Sequence, residues 1–321
     1  MGQRSLRFCR QVPLTGCIAF FSMSWMASAL DAVEKFELCD GDRVVFLGNS
    51  FFERALDYGH LETALALCWP DRDITFRNLG WDGDTVYGHS RTVGRRRTVF
   101  GNPEEGFQRM VAHLDSLKPT VVFVAYGYNE SFDGEAGLER FASGWHRLLD
   151  ALRPSGTGTR IVVLSSTPME KGFGASGAHV AARNAMIRSY CDVLADSAGK
   201  DGFLFVDLFG ALENRTTPYS ANGIHPSEEG YVAIGKIIAE QLCLPVPPTS
   251  LGSKEARGIR SAIVKKNNLY FHRWRPRNDA FVYGERKDEQ VVAQTEPEKF
   301  EPFITQQERI VRTLLDKVKR K

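Results

Sequence analysis

Val44-Val45-Phe46-Leu47-Gly48-Asn49-Ser50 is an apolar run with β-branched residues that ends in turn residues. Such a run is typical of a strand buried inside a parallel sheet. Two later segments have the same form: Ile74-Thr75-Phe76 leads to Asn78-Leu79-Gly80, and Val121-Val122-Phe123-Val124-Ala125 leads to Gly127-Tyr128-Asn129. Polar residues that follow buried parallel strands lie where α/β proteins form their active sites. The three segments therefore predict a fold class and the region of a site.

Strand-like and helix-like segments alternate along the rest of the chain. Strands are predicted at 43–47, 73–78, 120–126, 160–165 and 203–207. Helical periodicity is found around 53–68, 104–117, 137–153, 177–197 and 227–242. This alternation predicts an α/β fold in which helices cover both faces of a five-stranded parallel sheet.

The N-terminal residues predict export. Three basic residues without an acid precede an apolar stretch at 12–26 and the segment Ala27-Ser28-Ala29; they are Arg4, Arg7 and Arg10. This order is that of a secretory signal peptide over residues 1–29, so we expect a periplasmic or extracellular protein. A lipoprotein anchored at Cys17 is the alternative, because Leu14-Thr15-Gly16-Cys17 has the form of a lipoprotein cleavage box. The apolar stretch is shorter than the ~20 residues that span a bilayer, so no stable membrane insertion is expected after cleavage.

The cysteines do not predict a metal centre. A chain cleaved after Ala29 keeps Cys39, Cys68, Cys191 and Cys243. An even number in an oxidising compartment permits two disulfides, and free buried thiols fit the same pattern. No pair has metal-site spacing, so neither a metal nor a cofactor is predicted.

A change in composition divides the chain after residue 245. Pro245, Pro247 and Pro248 end a domain predicted over 30–245, and a C-terminal extension follows over 246–321. Residues 254–321 carry 17 Lys and Arg against 10 Asp and Glu, whereas residues 30–253 carry 21 against 29. The opposite charges predict that the extension packs on the domain. A nucleic-acid footprint is the alternative, and export argues against it.

Two segments of the extension have features of their own. The aromatic and basic segment 268–278 is predicted to fold over the edge of the sheet and to bring Arg or aromatic contacts near the site. The segment Thr305-Gln306-Gln307-Glu308 is a capping box that predicts the start of a terminal helix. The apolar face of that helix needs a cover, and its residues are Ile310, Val311, Leu314, Leu315 and Val318.

Four dispersed residues have the chemistry of an ester hydrolase. A serine hydroxyl needs a base to take its proton during attack, and Ser50 and His225 are the candidates for nucleophile and base. The Asn129 amide is a neutral donor suited to an oxyanion, and the glycine-punctuated loop at Gly80 lets a main-chain N–H approach a ligand. Each residue also has an ordinary structural explanation: Ser50 as a helix cap, Asn129 and Gly80 as turn residues, and His225 as one of seven histidines.

The four segments resemble the blocks of the SGNH (GDSL-like) hydrolase family, and they occur in the family's order over residues 42–242. The resemblance implies a flavodoxin-like, three-layer α/β/α sandwich. It also implies Ser50 as nucleophile, His225 as base, and an oxyanion hole formed by the Ser50 and Gly80 N–H groups and the Asn129 side chain. No cofactor is implied.

The chain departs from the family pattern at two positions. Asn49 stands where the family has Asp in Gly-Asp-Ser, and Asn222 stands where it has Asp three residues before the histidine. A carboxylate there orients the imidazole, and the corresponding Asp-to-Asn change in a serine protease lowers kcat by about 10⁴. Three outcomes are open: a dyad oriented by Asn222 or a main-chain carbonyl, another carboxylate in the third role, or loss of catalysis. The substitute carboxylates are Glu130, Asp82 and Asp84.

The residues of these blocks resemble those of a bacterial, exported subgroup of the family that shares the Asn forms and a C-terminal extension. We expect hydrolysis of acetyl or other acyl esters of carbohydrate, with a small-molecule or polysaccharide ester as partner and no nucleic acid. The alternatives are a lipid or lysophospholipid esterase, and a carbohydrate- or envelope-binding protein on a disabled hydrolase fold. The aromatic residues that could stack on sugar or lie in the core are Trp69, Trp81, Tyr87, Tyr126 and Tyr128.

Overall fold

The computed structural model describes residues 36–92, 103–153, 158–284 and 286–319. The predicted signal peptide, its cleavage position and Cys17 lie outside these residues. The helices and strands described below belong to one compact unit.

Five parallel strands form the central sheet. They are β1 (Arg43–Gly48), β2 (Thr75–Gly80), β3 (Val121–Ala125), β4 (Arg160–Leu164) and β5 (Leu204–Val206). Their order across the sheet is β2-β1-β3-β4-β5, and every neighbouring pair is parallel. The prediction of a five-stranded parallel sheet is confirmed. The reversal of strand order beside β1 is a topological switch point, and in such sheets ligands bind outside the carboxyl ends of the strands.

The larger helices alternate with the strands. They are α1 (Ser50–Tyr58), α2 (His60–Cys68), α3 (Pro103–Leu117), α4 (Leu138–Leu152), α5 (Gly177–Asp201), α6 (Leu208–Glu213) and α7 (Glu228–Gln241). The extension adds α8 (Lys254–Trp274), the single turn α9 (Asp279–Val282) and α10 (Glu301–Lys319).

Alternate strand residues face opposite sides of the sheet. Val44 and Phe46 pack in one buried cluster with residues of α1, α2 and α7. Val45 and Leu47 pack in a second cluster with residues of α3, α4 and α5. Because strand side chains alternate between faces, the continuous apolar runs require a helical layer on each side. The three-layer α/β/α prediction is confirmed.

One predicted helix is in fact two. The periodic segment 53–68 is divided at Gly59, which has φ +66° and forms the C-cap of α1 through an N–H bond to Ala55 O at 2.9 Å. A left-handed backbone favours glycine and ends a helix. Apolar spacing alone did not show this break, because α2 resumes the same periodicity one residue later.

The extension covers the β2 edge of the sheet. Residues of α8 and α10 enter the first cluster, and others from the same helices enter the second. The Lys266 ammonium donates to Phe76 O at 3.1 Å and pairs with Glu62, and both charged side chains are buried. The Asn267 amide donates to the other Glu62 oxygen at 3.0 Å. An exposed edge strand can pair with a strand of another chain, and the extension covers the edge strand β2.

Ion pairs join the basic extension to the acidic domain. Arg260 pairs with Glu228 at 2.5 Å, and Arg275 pairs with Glu53 at 2.6 Å. One pair has the reverse polarity, with Arg77 of β2 on Glu308 at 2.5 Å. The opposite net charges of the domain and the extension thus correspond to ion pairs between them.

The terminal helix begins earlier than its capping box. Thr305 lies inside α10, which starts at Glu301, so the predicted start is wrong by four residues. Pro302 at the beginning of the helix explains the shift, because proline fits a first turn, where its missing N–H is not needed. Of the predicted apolar face, Leu315 and Val318 are buried, while Ile310 stays exposed.

The four cysteines of the described residues are all unpaired. Burial raises the pKa of Cys68 to about 11 and that of Cys191 to about 12, so both are protonated core thiols at neutral pH. In the described ranges, no helix has both the length and the hydropathy to cross a bilayer.

The Lys266 and Glu62 pair yields a test of the extension as part of the fold. Lys266→Met leaves Glu62 buried without its cation, so the free energy of unfolding should fall by about 3–5 kcal/mol in urea titration. The double variant Glu62→Gln, Lys266→Met removes both charges and keeps an acceptor for Asn267, so it should recover much of that loss. A single variant as stable as the wild type would contradict the burial of this pair.

Candidate active site

A small cavity at the carboxyl edge of the sheet brings three of the predicted residues together. Ser50, Asn129 and His225 all line this space of about 50 Å³. The other lining residues are Asn49, Phe51, Ala125, Tyr128, Ser165, Ser166, Thr167, Ile224 and Pro226. Residues from four separate segments therefore meet at the ends of β1, β3 and β4.

Ser50 is the first residue of α1. Asn49 is the N-cap of this helix, and its Oδ1 accepts the Phe51 N–H at 3.1 Å. The cap explains the departure from Gly-Asp-Ser, since a neutral amide oxygen caps a helix as an aspartate does. Among the described residues the Ser50 N–H has no hydrogen-bond partner. It is one of the unpaired donors of a helix start, where the helix dipole favours negative charge.

The N–H of Gly80, which is predicted to be an oxyanion donor, is engaged within the protein. It donates to the Asn78 side chain at 2.7 Å. Gly80 is the last residue of β2, and a Cβ there would lie 2.3 Å from Glu53 N. The residue is glycine because the first turn of α1 packs directly on the strand end.

Gly83, three residues later, has a main-chain N–H that points at Ser50. Its N–H donates to Ser50 Oγ at 3.2 Å. Its φ is +72°, a left-handed conformation that favours glycine. The sequence Trp81-Asp82-Gly83-Asp84 contained this second glycine, and only the contact with Ser50 distinguishes it from Gly80 as a donor.

Asn129 is fixed to the same loop. One N–H of its amide donates to Asp84 O at 2.7 Å, which leaves the second N–H for the cavity that the side chain lines. Glu130, the next residue, is buried and accepts the N–H groups of Val86 and Gly127, both at 2.8 Å. Burial raises the pKa of Glu130 to about 7.

The Asp84 side chain anchors the loop that contains Gly83 to the interior of the protein. It accepts from Arg91 Nε at 2.6 Å and from the Tyr126 hydroxyl at 3.0 Å, and all three side chains are buried. Arg91 also donates to Leu79 O at 2.8 Å. Glu130 and Asp84 are therefore engaged in holding the loop, and neither carboxylate contacts His225.

His225 lies in a loop whose backbone is held by Asn222. The Asn222 Oδ1 accepts the main-chain N–H of Ile224 at 3.2 Å and that of His225 at 2.9 Å. The Ala221 N–H donates to His225 O at 2.8 Å. Within the described ranges, no hydrogen bond reaches the His225 ring. Asn222 thus shapes the loop, and its side-chain oxygen accepts main-chain N–H groups and not the ring N–H that orientation of the imidazole by Asn222 would require.

Two charged groups act on the His225 ring through space. Burial and then the positive charge of Arg54 lower the pKa of His225 from its ordinary value, and the Asp82 carboxylate partly opposes them. The imidazole is therefore neutral at pH 7 and can accept a proton. Of the three carboxylates proposed as substitutes for the missing Asp, only Asp82 influences this ring.

The sequence did not indicate several residues of the site. Ser165, Ser166 and Thr167 directly follow β4, and the rule that ligands bind at strand ends points to them. Two exposed aromatic side chains neighbour the cavity: Phe132, 65% exposed, packs edge-on against Tyr128, and Phe173, 42% exposed, lies beside Gly223. Of the five aromatic residues first considered, Tyr128 lines the cavity.

A second cavity of about 520 Å³ lies near the start of β2, between α2 and α10. It shares no lining residue with the first cavity. Ligands of open α/β sheets bind at the carboxyl ends of strands, so the smaller cavity is the candidate active site. No group of His, Cys, Asp and Glu in the described ranges is arranged to hold a metal ion.

The family model described as the GDSL-like Lipase/Acylhydrolase family matches residues 46–233. A putative GDSL-like lipase from Parabacteroides merdae has 16% identity and a TM-score of 0.50, and the match covers 65% of this chain and 99% of that one. This likeness shows the fold. No curated protein sequence matches the chain.

Two further structures are similar over the same share of the chain. The acetylxylan esterase Axe2 from Geobacillus stearothermophilus has 17% identity and a TM-score of 0.47, with 64% of this chain and 96% of that one covered. A gut microbial diltiazem-metabolizing enzyme has 20% identity and a TM-score of 0.47, with 64% of this chain covered. The match spans 48% of that enzyme.

The environment of His225 predicts a pH profile. Because kcat/KM reports the free enzyme, it should rise with pH around a midpoint below the ordinary histidine value of 6.5. Asp82→Asn removes the charge that raises this pKa and should move the midpoint to lower pH. Arg54→Gln removes a charge that lowers it and should move the midpoint to higher pH. Shifts of the same sign in both variants would contradict this account.

The Asn129 amide can be tested as an oxyanion donor. Asn129→Asp keeps the shape of the side chain and removes both N–H donors, so kcat should fall by about 10²–10³ with little change in KM. Asn129→Ala should lower kcat to a similar degree. Steady-state kinetics with p-nitrophenyl acetate measures both. A variant with wild-type kcat would remove Asn129 from the oxyanion hole.

Proposed function

The chain belongs to the GDSL-like lipase/acylhydrolase family, a family of ester hydrolases, and on that premise we propose that it is an exported serine esterase for short acyl esters. The observation that carries this proposal is the meeting of Ser50, Asn129 and His225 in one cavity beside the Gly83 N–H. A hydroxyl, a neutral imidazole and three N–H donors are the groups that acyl transfer requires.

In the first step the Ser50 oxygen forms a bond to the ester carbonyl carbon, and its proton passes to the His225 ring. The carbonyl oxygen becomes an oxyanion, which the N–H groups of Ser50, Gly83 and Asn129 stabilise. The Gly83 N–H already points at Ser50 Oγ, so it lies next to the carbon that this oxygen attacks. Collapse of the intermediate breaks the bond to the alcohol, which leaves with the proton from His225.

Water completes the reaction. It attacks the acyl group on Ser50 while His225 takes one of its protons, and the same donors stabilise the second oxyanion. Release of the carboxylic acid returns the proton to Ser50. This scheme uses only side chains and main-chain N–H groups of the chain itself.

We assign the catalytic base to a dyad and not to a triad with Asn222. The Asn222 oxygen is engaged by main-chain N–H groups, so its role is to set the path of the loop that carries His225. The Asp82 charge favours the imidazolium that forms during attack, because it is the negative group that raises the His225 pKa. A through-space charge is weaker than a bonded carboxylate in orienting the ring.

The dimensions of the site favour a small acyl group. A cavity of about 50 Å³ is small and has room for a short acyl group. An acetyl group fits inside it, whereas a fatty acyl chain would extend beyond it. This argues against the lipid and lysophospholipid alternatives.

The surroundings of the cavity favour a carbohydrate alcohol. Phe132 and Phe173 are exposed beside its lining, with Arg183 stacked on one face of the Phe132 ring at 4.0 Å. Exposed aromatic rings can stack on apolar sugar surfaces. Export, which is predicted from residues outside the described ranges, would bring the protein to polysaccharide. The rival function is a carbohydrate-binding protein without catalysis, and the absence of a carboxylate bonded to the His225 ring within the described ranges is what favours it.

Turnover of p-nitrophenyl esters by the chain without residues 1–29 separates these functions. Ser50→Ala should lower kcat by about 10⁴ or more, while Ser116→Ala, at an exposed serine of α3, should keep it. Among esters of increasing acyl length, the acetate should have the highest kcat/KM and the octanoate the lowest. Equal rates for Ser50→Ala and the wild type would leave the binding function, and a preference for octanoate would favour a lipid ester.

A further inference from the structure

An arginine of the extension reaches the first turn of the helix that carries Ser50. Arg275 follows α8 directly, and its Nη1 lies 2.6 Å from Glu53 Oε2. Both side chains are partly buried, so this pair is less screened by solvent than an exposed one. It joins two residues 222 positions apart in the chain.

Glu53 in turn holds the loop that contains Gly83. The oxygen that receives Arg275 also accepts the main-chain N–H of Asp82. The next N–H along the chain is that of Gly83, which donates to Ser50 Oγ. One carboxylate oxygen thus connects the extension to the peptide immediately before an oxyanion donor.

The same arginine packs on the start of that loop. Its guanidinium lies 4.1 Å from the centre of the Trp81 ring, in cation–π geometry. Trp81 is buried, and its main-chain N–H donates to Gly48 O at 3.0 Å. Its ring packs edge-on against that of Trp274, with 5.4 Å between the ring centres. Both residues that precede Gly83 are therefore in contact with Arg275 or with its carboxylate partner.

We propose that Arg275 is a positioning residue for the oxyanion hole, so that the C-terminal extension completes the active site of the catalytic domain. This inference rests on the proposed esterase function. Arg275 fixes the Glu53 carboxylate and the Trp81 ring, and these two fix residues 81–83 against Ser50. Without the arginine, Glu53 loses its cation and the loop loses two of its supports.

The proposed effect falls on the transition state. An oxyanion donor must lie about 2.7–3.1 Å from the oxygen that becomes charged, and a displacement of about 1 Å can lower the rate by about 10². Substrate binding in the ground state does not need this contact. Loss of Arg275 should therefore lower kcat and leave KM nearly unchanged.

The test compares Arg275→Gln with Arg273→Gln in the otherwise complete chain. Arg273 pairs with Glu301 inside the extension, so its substitution also removes one ion pair of this segment but does not touch the loop. With p-nitrophenyl acetate, Arg275→Gln should lower kcat at least tenfold with KM within twofold of wild type. Arg273→Gln should keep kcat within twofold. Similar losses in both variants would show a general effect on the extension and overturn the proposal.

Two further measurements keep the result specific. Glu53→Ala should lower kcat to a similar extent, and the double variant Glu53→Ala, Arg275→Gln should be no slower than the slower single variant, because both act through one contact. Independent losses that multiply would contradict the chain of contacts. If Arg275→Gln alone fails to fold, Arg275→Lys, which keeps the charge but not the planar stacking, should still reduce kcat more than Arg273→Gln does.

Hydrogen exchange tests the positioning without turnover. The Asp82 amide should exchange at least tenfold faster in Arg275→Gln than in wild type, and at the wild-type rate in Arg273→Gln. Unchanged exchange at Asp82 overturns the positioning role whatever the kinetics. If the wild type hydrolyses no faster than Ser50→Ala, the esterase proposal and its catalytic consequence both fail, while exchange still decides whether Arg275 holds the loop.

Discussion

The buried contact between Asp84 and Arg91 is the constraint on which the geometry of the site depends. Both side chains are fully buried, and the pair is completed by the Tyr126 hydroxyl and by Leu79 O. Burial opposes the charge of Arg91, but Asp84 beside it raises the pKa of the guanidinium above its ordinary value. Removing one partner of such a pair would leave an uncompensated charge in the interior, which typically costs about 3–5 kcal/mol. The pair therefore anchors the loop to the end of the sheet.

The rest of the site is built outward from that fixed loop. In this loop the Gly83 N–H donates to Ser50 Oγ, and the Asp84 carbonyl accepts the Asn129 amide. Residues that follow β1 and β3 are therefore held by one peptide segment. Glu130 joins the same segment to the turn after β3 through two main-chain N–H groups. Preorganisation of this kind is how an oxyanion hole acts without rearrangement during the reaction.

The extension stabilises the fold and also contacts the loop beside the candidate active site. Along the β2 edge it supplies apolar side chains to both faces of the sheet and a buried lysine to Glu62, so it belongs to the core. At the end of α8 it places Trp274 and Arg275 against Trp81, at the start of the loop that contains Gly83. The sequence predicted opposite charges and a segment at 268–278 near the site, while the partners that those charges find, such as Glu53, were not readable from charge totals.

The sheet, its helical cover and three residues of the candidate site can be read from the sequence alone. Continuous apolar runs at Val44–Leu47 and Val121–Ala125 require burial on both faces, and the polar residue after each run must then lie at the carboxyl edge. The folded structure is needed to distinguish Gly80 from Gly83 as the candidate donor, because both glycines belong to the end of β2 or the loop after it, and the distinction depends on the partner of each N–H. It also decided that Asn222 holds main chain and that Asp82 is the carboxylate acting on His225. Periodicity is a property of neighbouring residues, whereas the direction of a single N–H or carboxylate is set by contacts between segments far apart in the chain.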